Sequence, residues 1–138
     1  ATSLGADWFP GGDATTTGDG PLYQTLQTVV ADGLAAFRTA SPADTFTLSG
    51  FLWQQGERDA NLHSSTNYAT NYATNLTAFI GDLRSTLGVP ELPFFIGRIS
   101  ANQGGMNGAG KNLVRSAQAS VASSVAGAYL IDLDGAAY

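Results

Sequence analysis

Three short apolar runs, at 46–53, 93–99 and 128–133, alternate with segments whose apolar residues recur every three to four positions, and this alternation constrains the fold most tightly. The first periodic segment, 21–39, carries Leu22, Leu26, Val29, Val30, Leu34 and Phe37 on one stripe and follows the turn-forming Gly18-Asp19-Gly20-Pro21. The second follows the N-cap candidates Ser64 to Asn67. It runs through Tyr68, Tyr72, Leu76, Phe79, Ile80, Leu83 and Leu87, and Gly88 and Pro90 stop it. A polar loop is predicted after the first run, and a Gly/Asn-rich loop precedes a third helix at 111–125. Helix and strand in strict alternation imply right-handed crossovers and a parallel sheet, with ligand chemistry beyond the carboxyl ends of the strands. Three parallel strands alone would leave both edges and much of one face open, so further strands are expected on the N-terminal side.

With 138 residues the chain suits one domain, 1–138, and 43% hydrophobic residues supply a core. A net charge of -5 offers no positive field for phosphates, so nucleic acid and anionic membranes are not expected partners. A neutral, hydroxyl-rich ligand suits such a surface better. The absence of cysteine excludes a disulfide framework and Cys-based zinc sites, and no cofactor or metal is expected. No apolar run approaches the roughly 18 residues of a membrane span. A chain beginning at Ala1 is expected to be processed or a fragment, and the expected location is secreted or periplasmic.

Gln55, Gly56, Glu57, Arg58 and Asp59 follow the first apolar run, where a sheet of this kind places its functional groups. By spacing alone two readings stay open. The charges could solvate a turn, with local pairing of little worth, or they could wall a site. The tetrads beginning at Tyr68 and Tyr72 form an internal repeat that would serve either as helix packing or as a sugar-stacking platform.

The segment Gly50 to Ala60, with Trp53-Gln54-Gln55-Gly56-Glu57-Arg58-Asp59 at its centre, resembles the W-x-Q-G-E-[ST]-D block of the sialate O-acetylesterase and acetylxylan-esterase-like family of SGNH (GDSL-type) hydrolases. Thr2-Ser3-Leu4 with Asp7-Trp8, the Tyr72 to Phe94 stretch, and Val114-Arg115-Ser116-Ala117-Gln118 are similar to other family segments, so the resemblance covers nearly the whole chain. It implies the SGNH hydrolase fold, a flavodoxin-like three-layer sandwich around a parallel sheet, present here in part. The implied chemistry is removal of acetyl groups from carbohydrates or similar small esters by a Ser-His-acid mechanism. Carried over residue by residue, Gln55 would help bind the oxyanion and Glu57 would orient the histidine. Gly56, Arg58 and Asp59 would line the substrate side, with Asp59 also expected to fix the loop through backbone hydrogen bonds. Arg58 replaces the family's small hydroxyl residue. The family's G-Q-S-N-like nucleophile block and D-x-x-H block do not occur between Ala1 and Tyr138, Ser3 lacks the nucleophile's flanking pattern, and His63 reads as a loop residue. The serine and histidine are therefore expected outside this chain, which alone should be inactive.

Two other readings compete. A non-catalytic sugar-binding or structural relative could keep the scaffold without the triad. Gly105-Met-Asn-Gly-Ala-Gly110-Lys111-Asn112 comes within one residue of the phosphate-binding pattern G-x-x-x-x-G-K-[ST], which raises a P-loop-like nucleotide binder. Asn112 lacks the magnesium-binding hydroxyl, and Lys111 reads more simply as a solvated residue in the first turn of a helix.

Overall fold

A computed structural model describes residues 1–11 and 18–135. Its elements run α1 (Pro21–Ala40), β1 (Phe51–Gln54), α2 (Glu57–Asn61), α3 (Tyr72–Leu87), β2 (Phe94–Gly97), α4 (Gly108–Ser124) and β3 (Ala128–Ile131). The strands form one parallel sheet in the order β1-β2-β3, with Phe51 opposite Phe94 and Phe94 opposite Ala128. The expected α/β parallel architecture is therefore present.

Because consecutive strands advance in one direction across the sheet, right-handed crossovers put both connections on the same face. That face carries Phe51, Trp53, Phe94, Ile96 and Ala128. It packs against α3 and α4, whose Leu76, Phe79, Ile80, Val114 and Val121 are fully or almost fully buried. Phe79 is the hub, with ring centroids 4.6 Å from Trp53 and 5.1 Å from Tyr23 of α1. Burial raises the Tyr23 phenol far above its ordinary range, and its hydroxyl donates to Asp82. The period-two alternation sends Leu52, Phe95 and Tyr129 to the other face, where Leu52 is 69% and Tyr129 52% exposed. Two layers of the three-layer sandwich are thus described. The third would require a connection running in the opposite direction across the sheet.

Several boundaries differ from those predicted. The run 46–53 pairs only from Phe51, whose N–H donates to the Pro93 carbonyl (2.8 Å), because Pro93 itself has no N–H to extend the ladder. The segment after β1 is helical rather than a loop. Gly56 accepts from the Ala60 N–H at 2.9 Å and opens α2. Tyr68 lies in the turn ahead of α3, drawn over Gly5, where a β-carbon would collide with its ring. Helix α4 starts before 111 because the Asn107 side chain accepts from the Gly110 N–H (2.9 Å), and this cap offsets the poor helix propensity of Gly108 and Gly110. At the other end of α3, Gly88 closes the helix in the left-handed region (φ 66°), as its position predicts.

Polar braces fix the two ends of the sheet differently. At the amino ends Arg84 donates to the carbonyls of Leu92 (2.8 Å) and Ala126 (2.9 Å). At the carboxyl ends the fully buried Gln118 of α4 donates to the carbonyls of Gln55 (3.0 Å) and Gly97 (3.2 Å) and accepts from the Ile99 N–H (3.1 Å). Among the described residues no helix is long and apolar enough to cross a membrane.

Candidate active site

All three strands deliver polar residues to one cleft of about 500 Å³ at the carboxyl end of the sheet. Gln54 ends β1, and Glu57 starts α2. Arg98, Ser100, Asn102 and Gln103 follow β2, and Leu133 and Asp134 follow β3. Among the described residues the half-buried Glu57 carboxylate forms no ion pair or hydrogen bond.

The backbone that presents Glu57 is held from behind. Gln55 is 7% exposed, and its side chain turns away from the cleft. Its Nε2 donates to the Thr2 carbonyl (2.8 Å) and to Asp59 Oδ2 (2.6 Å), while the Tyr72 hydroxyl lies 3.0 Å from its Oε1. Both amide hydrogens are thus engaged, and in this arrangement Gln55 has none to offer an oxyanion. Tyr72 also donates to the Gln55 carbonyl (2.7 Å), and burial raises its phenol far above the usual range, so it stays a donor. Asp59 is completely buried and accepts from the N–H groups of Leu4 (2.9 Å) and Gly5 (3.1 Å), clamping the N-terminal segment onto α2. Gly56 has φ +142°. A β-carbon there would come within 2.7 Å of Val114 Cγ1 and 3.1 Å of Ile99 Cγ2, so its contacts are with core side chains. Arg58 is exposed on the next position of α2 and is not among the cleft-lining residues.

The opposite wall is an ionic lattice built on the residues that follow β2 and β3. Asp132 pairs with Arg98 (2.7 Å) and more loosely with Arg115 (3.6 Å). Arg115 also pairs with Asp134 (2.7 Å) and donates to the Ile99 carbonyl. The Ser100 hydroxyl and the Ala101 N–H each donate to Asp134 at 2.7 Å. Hydrogen bonding from Arg98 holds the Asp132 carboxyl below the ordinary carboxylate range. Asp134 is lowered likewise, first by the Ala101 N–H and then by the Ser100 hydroxyl. A carboxylate so stabilised is a weak base, and the Ser100 hydroxyl keeps its proton while donating a hydrogen bond to it, so the pair does not make an activated nucleophile. His63 lies on the α2–α3 connection against Gly110 and does not line the cleft. No group of His, Asp or Glu among the described residues is arranged to hold a metal ion.

The phosphate-loop pattern forms no cradle. Asn107 occupies the Gly110 N–H, and Lys111 Nζ donates to the Ala101 carbonyl (2.6 Å).

A family model for carbohydrate esterases of the sialic acid-specific acetylesterase type matches residues 2–137. The chain belongs to this family. Ester hydrolysis on acetylated carbohydrate is the chemistry of that family. A solved structure of an Arabidopsis thaliana protein is similar to this family member along 100% of the chain, with 23% identity and a TM-score of 0.70, which establishes a shared fold. The chain spans 47% of that protein's length. No curated protein sequence matches significantly.

The carboxyl-end rule that singles out the residues after β1 applies equally after β2 and β3. Ser100, Asn102, Gln103 and Asp134 were legible by that rule and lacked only a motif to mark them. Arg98 sits inside an apolar run and gave no such signal.

Proposed function

We propose that this chain supplies the acid-bearing wall of an esterase site that removes O-acetyl groups from an uncharged carbohydrate. In this reading Glu57 orients the catalytic histidine, and the nucleophilic serine and that histidine come from polypeptide outside these 138 residues. One observation carries it: a carboxylate without a partner among the described residues is presented to the cleft by a segment that five hydrogen bonds of Gln55 and Asp59, four of them buried, hold in place. Charge complementarity and orientation of an imidazole need such a fixed carboxylate. Gln55 then acts through position. Its side chain joins Thr2, Asp59 and Tyr72, and so sets where Glu57 stands.

The uncharged substrate is supported by the lining. Gln54, Asn102 and Gln103 offer amides, and Leu133 offers an apolar patch for a sugar's C–H face. Arg98 is already paired with Asp132 and Asp134 with Arg115, which leaves the Glu57 carboxylate as the uncompensated charge among the cleft-lining residues, so a substrate carboxylate would meet net negative charge.

Acetate release from an O-acetylated xylo-oligosaccharide tests this. The 138-residue chain should match the buffer rate, and a longer polypeptide that also carries a G-Q-S-N-like and a D-x-x-H block should exceed it. Robust hydrolysis by the 138 residues alone would overturn the assignment of serine and histidine. Binding without hydrolysis by the longer polypeptide would establish a sugar-binding relative instead.

A further inference from the structure

We infer that Lys111 is a positioning residue for sugar recognition, holding the loop that presents Asn102 and Gln103 to the cleft; the inference rests on the carbohydrate reading above. Lys111 lies in the first turn of α4, where the positive end of the helix dipole disfavours a cation. Its ammonium reaches back to the Ala101 carbonyl at 2.6 Å, with the Gln103 carbonyl at 3.5 Å. Asp134 secures the same loop from the β3 side through Ser100 and the Ala101 N–H, and Ser100 Oγ accepts from the Asn102 N–H at 3.1 Å. The far end of the loop is tied to α2, since the Asn107 N–H donates to Asn61 Oδ1 at 3.0 Å.

Between these anchors the side chains of Asn102 and Gln103 line the cleft across from Glu57, and among the described residues neither amide makes a hydrogen bond. Two exposed amides without protein partners, carried on a backbone held from three sides, offer donors and acceptors from fixed attachment points, which suits neighbouring hydroxyls of a sugar. Without the Lys111 contact, the stretch from Ala101 to Gly105 keeps its Asp134 side and the more distant tie of Asn107 to Asn61. Its amides would then have to be ordered at the moment of binding, at a cost to affinity.

The test is site-resolved NMR on the isotope-labelled 138-residue chain, titrated with a mono-O-acetylated methyl β-xyloside. In the unsubstituted chain the probe should shift the Glu57 backbone amide and the side-chain amides of Asn102 and Gln103. Lys111→Met should weaken binding on the order of tenfold, the loss of one or two neutral hydrogen bonds. It should abolish the Asn102 and Gln103 shifts, speed hydrogen exchange at Ala101 and leave the Glu57 shift in place. Lys111→Arg, which keeps the charge and the donors, should restore all three. Unchanged affinity and unchanged Asn102 and Gln103 shifts in Lys111→Met would overturn the inference alone. Equal loss at Glu57 and at the loop would overturn it too, by making Lys111 a residue of general stability. Absence of any probe-induced shift in the unsubstituted chain would overturn this inference, while the carbohydrate reading stands or falls on acetate release by the longer polypeptide.

Discussion

Replacing Asp59 should damage the fold before it damages any ligand contact, and the size of the damage follows from its three partners. The carboxylate is completely buried and accepts from the Leu4 N–H, the Gly5 N–H and Gln55 Nε2. Hydrogen bonds to a charged acceptor contribute roughly 1.5–3 kcal/mol each, and a buried donor left without a partner costs about 1–3 kcal/mol. Asp59→Ala strands the Leu4 and Gln55 donors in the interior, while the less buried Gly5 N–H can recover water. The expected loss is therefore about 4 kcal/mol, some of it offset by local relaxation. Asp59→Asn keeps the shape and one carbonyl oxygen but turns an NH2 toward one of the donors, so about 2–3 kcal/mol is expected. A chain of this length has a total stability of roughly 7–20 kcal/mol, so both variants should still fold. Urea unfolding followed by tryptophan fluorescence reads this directly, because Trp8 and Trp53 stand edge to face at 5.3 Å beside the clamp. The midpoint should fall with little change in slope. A loss under about 1 kcal/mol for Asp59→Ala would refute the clamp and return Asp59 to the substrate side.

Three further outcomes follow from the same contacts. Gly56→Ala forces a β-carbon to within 2.7 Å of Val114 Cγ1 at φ +142°, and strain with overpacking should cost about 3 kcal/mol by thermal or urea unfolding; a neutral result would mean that this turn can rearrange freely. Asn107→Ala removes the α4 cap and should cost about 1 kcal/mol in the same assay, whereas Asn107→Asp should retain most of the stability. Asp132 and Asp134 have carboxyls lowered by their native contacts, so the stability they contribute is present above the ordinary carboxylate range and lost as pH falls through their lowered values; Asp134→Asn should flatten that acid limb of a stability–pH profile, and an unchanged limb would contradict the lattice.

The parts of this protein that were legible in its sequence are those set by local pattern. Leu76, Phe79, Ile80 and Leu83 announce the buried face of α3, Gly88 announces its end, and the alternation of elements announces a parallel sheet. What depended on distant partners was not legible. Nothing near Gln55 in sequence shows that Thr2 and Tyr72 will take up its amide, so a residue expected to face the ester faces the interior. Asp59 gave half of its role in advance, since an acid beside a turn commonly accepts backbone N–H groups, but its donors lie more than fifty residues away at Leu4 and Gly5. Lys111 misled in two ways. Its neighbours mimic a phosphate loop, and its place in a first turn suggests solvation, while the structure joins it to the carbonyls of a loop that its own helix follows.

The central claim concerns Glu57, and acetate release from an O-acetylated xylo-oligosaccharide tests it most directly when the longer polypeptide carrying the serine and histidine blocks is compared with its Glu57→Gln variant. An isosteric amide should leave the fold and the unfolding midpoint unchanged. Turnover should fall on the order of 1,000-fold or more, as when the acid that orients a catalytic histidine is neutralised. Turnover within about twofold of the unsubstituted enzyme would contradict the account, because the cleft's unpaired carboxylate would then have no part in the chemistry.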